Sequence, residues 1–318
     1  MYGLLQHLIN GLAVGTIYAL VALGYTMVYG VLKLINFAHG DVMMVGVYVG
    51  YAVAFLLGQQ FMGSAAGVAL VFGASMAFCA GLGFLIERFA YRPLREKPRL
   101  TSLITAIGVS FALSYGFQLD VGFDSAGRHW QILPGATARA FPEVIRHVQW
   151  FTLGDPDGDS VIIWNWQVIS LLIAVGLMIG LQVLVFQTRF GRAMRAVSHD
   201  HRTAALLGIP VDRVIGGTFM LGSALAASAG ILYAIKDTKI EPLMGVMVGL
   251  KAFVAAVIGG IGDVKGALAG ALALGLCEEF VVAYSSSSWR DAVAFAFLIL
   301  VLLVRPQGLF GRAVAEKV

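Results

Sequence analysis

The chain has 318 residues, of which 59% are hydrophobic and 13% charged, and its formal net charge is +4. A soluble domain carries roughly a quarter charged residues, so this composition excludes a soluble globular protein and indicates a polytopic membrane protein. The two cysteines, Cys79 and Cys277, lie in apolar segments without a CxxC spacing. They predict no metal site and say nothing about the redox compartment.

Nine apolar runs alternate with polar segments along the chain. The first has no basic region or small-residue cleavage site before it, so we expect a retained helix rather than a signal peptide. The second, seventh and ninth runs are shorter than the roughly 20 residues of a full membrane span, which predicts broken or re-entrant segments and eight or nine crossings. The runs are about Leu8 to Val31, Val42 to Leu57, Ala65 to Ile86, Leu100 to Leu119, Val161 to Phe186, Val214 to Ile235, Gly245 to Ile258, Ala267 to Tyr284 and Ala292 to Val304. The expected fold is an all-α membrane protein, with residues 1–318 in a single domain.

The basic residues predict the orientation of the chain. Of the 22 Lys and Arg residues, 15 lie in the loops on one side of the predicted helices and six in the loops on the other side. Because basic residues accumulate in cytoplasmic loops, the first side is expected to be cytoplasmic, with the C-terminus inside. The loops on this side, which together hold the 15 basic residues, are residues 32–41, 87–99, 187–213, 259–266 and 305–318. All five tryptophans fall in or beside the outer loops, where an amphipathic ring suits the membrane interface.

The longest outer connection, about residues 120–160, carries six acidic residues and three arginines. It is predicted to be a periplasmic loop that is long enough to contact a soluble partner, the alternative being a floppy loop without a role. Its stretch Asp155–Ser160 (DPDGDS) suggests calcium, but an EF-hand loop needs a glutamate at its twelfth position, where this chain has Trp166. We therefore expect no metal site here.

The coupling segment, about residues 189–214, is the longest charge-rich run on the predicted cytoplasmic side. Arg189, Arg192 and Arg195 recur at helical spacing after an apolar run, so they suit a membrane surface or an acidic partner. A short helix is predicted from about His199 to Leu207, with Ser198 as N-cap and Gly208, Ile209 and Pro210 as the stop. An ordinary charged loop is the alternative, and His199 and His201 are expected on a solvated face rather than as metal ligands.

The same short helix ends in an apolar run of four residues, Ala204 to Leu207. Two turns of helix are unstable alone in water, so these residues are expected to dock into a partner.

Glycine recurs at small-xxx-small spacing inside the apolar runs. This spacing lets helix backbones approach closely in a membrane and predicts a compact bundle, an oligomer or both. The pairs are Gly11/Gly15, Gly46/Gly50, Gly176/Gly180, Gly245/Gly249 and Gly266/Gly270.

A few polar residues at or within apolar runs are candidates for a substrate path. Asn36, His39 and Asp41 lie at a helix break, where polar groups face protein or water, although they could instead cap the helix that restarts at Val42. Lys251 is a basic residue within an apolar run and is also a candidate, with snorkelling or pairing to Glu278 or Glu279 as the alternative.

Several motifs of membrane enzymes and ATPases are missing from the sequence. There is no GxxxxGK[ST], HExxH or GxSxG, and no ladder of buried acids for proton or sodium coupling. We therefore predict no catalytic residues, no metal and no bound cofactor, and expect a solute-moving chain to take its energy from a partner. An ion-coupled secondary transporter would need acids within the spans, and only Glu278 and Glu279 qualify.

Five segments, in order along the chain, resemble the bacterial branched-chain amino-acid ABC transporter permeases of the LivH type. They are INFAHGDVMMVG (Ile35 to Gly46), IERFAYRPLR (Ile86 to Arg95), GRAMRAVSHDHRTAALLGIPVDRVI (Gly191 to Ile215), LKAFVAAVIGGIGDVKGALAG (Leu250 to Gly270) and RPQGLFG (Arg305 to Gly311). The resemblance implies an inner-membrane permease that forms the path for leucine, isoleucine and valine. Its implied partners are a LivM-type second permease, two cytoplasmic ATPase subunits that bind ATP, and a periplasmic binding protein.

The resemblance also places the family's ATPase-coupling motif on this chain. The motif falls on Arg202, Thr203, Ala204, Ala205 and Gly208, and we add Arg192, Arg195 and Leu206 as coupling candidates. Arg202 stands where the motif usually begins with an acid. Relatives also carry urea, short amides and other amino acids, so the substrate within the family, and pairing as a homodimer or heterodimer, stay open.

Overall fold

A computed structural model describes residues 2–95, 97–125, 128–154, 160–305 and 307–310. Within these residues the chain forms eleven α-helices and three short antiparallel strand pairs. The helices are α1 (Tyr2–Leu32), α2 (His39–Leu57), α3 (Ala65–Ile86), α4 (Arg99–Gly116), α5 (Asn165–Gln187), α6 (Arg189–His199), α7 (His201–Leu206), α8 (Val211–Lys236), α9 (Met244–Gly259), α10 (Val264–Tyr284) and α11 (Arg290–Val304).

Nine of these helices are apolar, which agrees with the eight or nine predicted crossings. Seven segments of the described chain are long and apolar enough to cross a membrane, and Leu100–Gly116 and Met244–Gly259 are shorter apolar helices. The prediction of an all-α polytopic membrane protein is therefore confirmed.

The helices of the second and ninth apolar runs, α2 and α11, are longer than those runs suggest. α2 reaches 19 residues because it begins at His39, and a 3₁₀ turn at Ser287–Trp289 extends α11 into an 18-residue span. Hydropathy misses these starts because the first turns contain acidic residues, Asp41 and Asp291, whose carboxylates have polar partners within the protein.

The predicted outer connection contains strands, where the sequence predicted a loop. β1 (Asp120–Ser125) pairs with β2 (Arg128–Pro134), β3 (Arg139–Ala140) with β6 (Lys239–Ile240), and β4 (Gln149–Gly154) with β5 (Ser160–Trp164). The expected start of the fifth helix at Val161 is wrong, because the apolar run Val161 to Trp164 is the strand β5 and α5 begins at Asn165. Asp155, Asp157 and Asp159 lie outside the described residues.

The chain divides into two compact units. Unit 1 consists of Met1–Lys33, Arg146–Thr218 and Leu250–Val318. In it, α1 packs along the length of α10. Gly11, Gly15 and Gly275 allow this approach, since a Cβ at Gly275 would lie 2.5 Å from the Cα of Gly15. The predicted pair Gly11/Gly15 therefore lies at a helix–helix contact.

Unit 2 consists of Leu34–Ile145 and Phe219–Gly249. Here α2 packs against α3 and α4, and Gly46 lies against the backbone of Ala227 in α8. Gly40 and Gly245 touch so closely that a Cβ at Gly40 would lie 2.2 Å from the carbonyl oxygen of Gly245.

Gly176 and Gly180 of α5 behave differently from the other predicted pairs. A Cβ at either position meets nothing within 4 Å, so this pair makes no close helix contact among the described residues.

Candidate functional site

The coupling segment forms two helices rather than one. α6 begins after Thr188, whose hydroxyl accepts a hydrogen bond from the N–H of Gly191 at 3.0 Å. Its buried face carries Gly191, Met194 and Val197 at a spacing of three residues, which is the periodicity of an amphipathic helix. Arg189 and Arg192 are exposed on the other face.

The N-cap of the second helix, α7, is Asp200 and not the predicted Ser198. The carboxylate of Asp200 accepts hydrogen bonds from the N–H groups of Arg202 and Thr203 at 2.8 and 3.3 Å, and from the hydroxyl of Thr203 at 2.8 Å. Ser198 instead donates to the carbonyl oxygen of Arg195, four residues inside the end of α6. Ser198 was a plausible cap by residue type, but the chain turns two residues later.

The hydrogen bonds of Asp200 also set its protonation. The hydroxyl of Thr203, and then the N–H groups of Arg202 and Thr203, lower the pKa of this exposed carboxyl below its usual value of 3.8. A lowered pKa means that the cap stabilises α7 above the ordinary aspartate pKa and is lost only as the pH falls through the lowered value. At neutral pH the cap is therefore fully ionised.

α7 ends in a Schellman motif, as the predicted stop at Gly208 requires. The N–H of Gly208 donates to the carbonyl of Ala205, and the N–H of Ile209 donates to that of Ala204. Gly208 has a φ of +79°, a conformation that favours glycine.

Two contacts fix the coupling segment to the ends of α1 and α5. The imidazole Nε2 of His201 lies 2.7 Å from the carbonyl oxygen of Val31, near the last turn of α1. The guanidinium of Arg195 donates to the carbonyl of Val185 and lies over the ring of Phe186. The expectation that His201 occupies a solvated face is therefore wrong, because the end of α1 offers it an unpaired carbonyl.

The tip of α7 is apolar and exposed. Leu206 and Leu207 are 88% and 75% exposed, whereas Ala204 is 2% exposed and anchors the helix from below. Ala205 and Gly208 are also on the exposed side. In this chain, therefore, a short, well-capped helix presents two leucines outward next to the exposed polar residues Arg202 and Thr203.

The predicted path residues at the break between α1 and α2 are buried in unit 2. Asn36 accepts hydrogen bonds at its Oδ1 from the N–H of Ala38 at 3.2 Å and from the hydroxyl of Tyr91 at 2.9 Å. His39 opens α2 and is 1% exposed. The helix thus begins three residues before Val42, and its N-cap position, Ala38, has no side-chain cap.

Asp41 lies in the first turn of α2 and is 1% exposed. Its carboxylate accepts hydrogen bonds from the hydroxyls of Ser110 and Ser114, which lie one helical turn apart on α4. The sequence reading missed both serines, although their i, i+4 spacing places them on one helix face and was a signal for a shared partner.

Lys251 lies in a charge cluster of unit 1. Its Nζ is 3.2 Å from Oε1 of Glu278 and 2.7 Å from Oδ1 of Asp291. The other oxygen of Glu278 accepts a hydrogen bond from the hydroxyl of Tyr18 at 2.9 Å. Lys251 and Glu278 are 7% and 2% exposed, so the cluster compensates charges that would otherwise be buried alone.

Glu279 takes part in a separate contact at the predicted outer end of unit 1. It accepts a hydrogen bond from the side-chain amide of Asn10 at 3.1 Å and lies 3.6 Å from the imidazole of His7. The sequence analysis named Glu278 and Glu279 as possible partners of Lys251, and the structure shows the ion pair with Glu278. Asp291 was missed because it follows a polar turn and looked like a loop residue.

The comparisons with known proteins point to one family. The family model described as "Branched-chain amino acid transport system / permease component" matches residues 7–302. The permease protein LivH of the high-affinity branched-chain amino acid transport system of Escherichia coli K12 is 41% identical over 317 residues, covering 99% of this chain and 97% of that protein. The corresponding protein BraD of Pseudomonas aeruginosa is 40% identical over 319 residues, covering 100% and 99%.

Among solved structures, a chain of PsaBC from Streptococcus pneumoniae is similar with a TM-score of 0.45 and 13% identity, covering 95% of this chain and 92% of that chain. The match of the family model to residues 7–302 and the 41% identity to a permease of which 97% is covered determine the assignment. This chain belongs to the family of permease components of branched-chain amino acid transport systems.

Proposed function

We propose that this chain forms part of the translocation path of an ATP-binding-cassette importer for leucine, isoleucine and valine. The support is the family match over residues 7–302 together with relatives of 40 and 41% identity whose names give branched-chain amino acids as cargo. Its proposed partners are a LivM-type second permease, two cytoplasmic ATPase subunits and a periplasmic binding protein that selects the cargo.

The proposed importer lies in the inner membrane with the C-terminus in the cytoplasm. ATP is bound by the partner subunits, because this sequence has no P-loop, and the chain itself has no catalytic role. Asn36, His39, Asp41 and Lys251 remain candidates for the path. Their hydrogen bonds and ion pairs also fit a purely structural role, which substitution can distinguish.

The observation that carries the proposed ATPase contact is the exposed tip of α7. Two leucines that are 88% and 75% exposed, on a helix of six residues, are poorly placed in water and suit a groove in another protein. The helix is held in position by the His201 contact and by its own caps, so it is preorganised for docking. We infer that the exposed residues Arg202, Thr203, Ala205, Leu206 and Gly208 form the surface that the ATPase holds, with Arg192 and Arg195 beside it. Ala204, predicted as a further contact, is 2% exposed and supports this surface from below.

The first prediction tests this surface with Leu206→Asp. Because the side chain is almost fully exposed, the permease should fold, insert and reach normal abundance. The charged group would be desolvated in an apolar groove, so retention of the ATPase subunits on co-purification should fall at least tenfold, and uptake should fall with it. Leu206→Met keeps an apolar side chain of similar volume and is the matched control, expected to retain both.

Ala205→Trp gives an independent steric version of the same experiment, since Ala205 is exposed. Gly208→Trp is less suitable because the φ of +79° would strain any residue other than glycine. Normal ATPase retention in both Leu206→Asp and Ala205→Trp would show that α7 is a connector and that energy enters elsewhere, for example through residues 87–99.

The cargo requires its own measurement. With the binding protein present, uptake of radiolabelled leucine, isoleucine and valine by the reconstituted complex should depend on ATP and should be unaffected by urea or short amides at equal concentration. Uptake driven by a sodium or proton gradient without ATP would instead identify a secondary transporter.

A further inference from the structure

Unit 1 contains a cavity of about 450 Å³ beside α6, the first helix of the coupling segment. It lies between the last turns of α1, the end of α5, the buried side of α6 and the turn before α10. No residue of α7 lines it, and of the residues proposed for the ATPase contact it shares Arg195 alone. Its volume is in the range of small-ligand sites.

The mouth of this cavity carries a positive charge. Arg195 and Lys265 line it, and Asp263 is the acidic residue among the lining side chains. One carboxylate oxygen of Asp263 is already engaged as the N-cap of α10, because it accepts hydrogen bonds from the N–H groups of Lys265 and Gly266 at 2.8 and 2.9 Å. Arg195 uses one guanidinium nitrogen for Val185 and keeps further N–H donors. The charge balance therefore favours an anion.

A hydroxyl deeper in the cavity has no partner. Thr26 lines the cavity and is 1% exposed, and its Oγ1 has no hydrogen-bond partner among the described residues. A buried hydroxyl without a partner costs free energy, so a ligand oxygen at this position would satisfy it.

The remaining wall is apolar and suits a hydrocarbon chain. Met27, Val31, Phe186 and Met194 line the cavity, and Phe186 is 49% exposed on α5. A ligand with an anionic group at the mouth and an apolar body along this wall would match both regions.

We propose that this cavity binds the phosphate headgroup of an anionic phospholipid from the adjacent membrane leaflet, with one acyl chain along the apolar wall. Basic pockets between membrane helices on the cytoplasmic side are typical sites for such headgroups. The inference rests on the proposed orientation and not on the cargo, and its test uses Gly30 and Lys265, which lie outside the proposed ATPase contact. Free inorganic phosphate shares the anionic chemistry but has nothing to place against the apolar wall.

Gly30 offers a direct way to fill the cavity. It lines the cavity within α1, and a Cβ at this position meets nothing within 4 Å, so the first side-chain atom of Gly30→Leu fits without a clash. Gly3→Leu is the matched control, because Gly3 lies near the other end of the same helix and is equally open. Lys265→Gln removes one positive charge from the mouth without adding volume.

The experiment measures lipid bound to the purified, delipidated permease complex by native mass spectrometry, with phosphatidylglycerol, phosphatidylcholine or inorganic phosphate added. Wild type and Gly3→Leu should bind one tightly held phosphatidylglycerol per permease chain, in preference to phosphatidylcholine. Gly30→Leu and Lys265→Gln should each weaken this binding at least tenfold. Inorganic phosphate at the same concentration should not displace the lipid.

Two results would overturn the proposal. The first is phosphatidylglycerol binding by Gly30→Leu and Lys265→Gln at the wild-type affinity, which would place the lipid elsewhere. The second is displacement of the lipid by inorganic phosphate, which would identify a free-anion site. If Gly30→Leu fails to fold, Lys265→Gln alone decides, because its side chain is exposed and supports no packing.

Discussion

Lys251 is a charged residue within an apolar helix, and its environment argues for a structural role. Two carboxylates lie within 3.2 Å of its Nζ, and both partners lie within unit 1. The pair with Glu278 is buried, while the side chain of Asp291 is 49% exposed. A lysine held by two acids is poorly placed to bind and release a passing zwitterion, so we expect it to position α9, α10 and α11.

The second prediction separates the structural role of Lys251 from a path role. Lys251→Met leaves Glu278 as an uncompensated buried charge, which should cost on the order of 3–5 kcal/mol of stability. The double variant Lys251→Met/Glu278→Gln removes both charges and keeps an oxygen that can accept from Tyr18, so at least half of the loss should be recovered. Thermal unfolding in detergent measures both.

Transport by the double variant completes this test. A structural role predicts that uptake returns with stability. If the double variant is stable and its ATPases remain bound, yet uptake stays lost, Lys251 contributes to the path itself.

At the scale of elements, the contact between α1 and α10 is the most extensive in unit 1. In a membrane the hydrophobic effect does not drive helices together, so close backbone packing between small residues has to supply much of the association energy. Gly275 shows how little space remains, since an added Cβ would meet both the Cα and the nitrogen of Gly15 at 2.5 Å.

The third prediction follows from this contact. Gly275→Ala should force α1 and α10 apart and lower stability by about 1–3 kcal/mol, the usual cost of overpacking. Gly180→Ala makes the same chemical change in α5, where nothing lies within 4 Å, and should be neutral or slightly stabilising because alanine has the higher helix propensity. Melting temperatures of the two purified variants give the comparison. A loss of similar size in both would mean that the α1–α10 contact tolerates an added methyl group.

A network of side-chain hydrogen bonds joins α1 to β5, α5 and α10 at the predicted outer end. Gln6 accepts from the N–H of Ile162 in β5 at 2.8 Å, and Gln167 donates to Asn10 at 2.8 Å. Asn10 in turn donates to Glu279 of α10 at 3.1 Å. This chain of hydrogen bonds fixes the strand pair β4–β5 and the start of α5 against α1.

The elements show what the sequence can and cannot determine. Hydropathy located both ends of α3 to the residue, because polar residues, Ser64 and Glu87, directly flank its apolar run. It misplaced the start of α5, because the run Val161 to Trp164 is as apolar as a helix and its pairing with β4 depends on residues about ten positions away. Residue type predicted Ser198 as the cap of α7 in place of Asp200, since residue type alone does not give the position where the backbone turns.

At the scale of the whole molecule, the composition indicated a membrane protein, and the five segments quoted above indicated the family. The tertiary contacts could not be predicted from the sequence. The pairing of Asp41 with Ser110 and Ser114, and of Lys251 with Asp291, joins residues 40 to 73 positions apart. No local pattern specifies such partners, because they depend on how the helices pack. The orientation, by contrast, follows from a simple charge count and can be tested alone.

The last prediction concerns this orientation. In a background where Cys79 and Cys277 are replaced by alanine, single cysteines at His199 and Leu153 should report opposite sides of the membrane. Both positions are exposed, the first at the end of α6 and the second in β4. With 15 of 22 basic residues on the side of α6, we expect a membrane-impermeant maleimide to label Leu153→Cys in intact spheroplasts and His199→Cys only in inside-out vesicles. The reverse pattern would place α7 outside the cell, where no ATPase could hold it, and would refute both the coupling surface and the leaflet assigned to the lipid cavity.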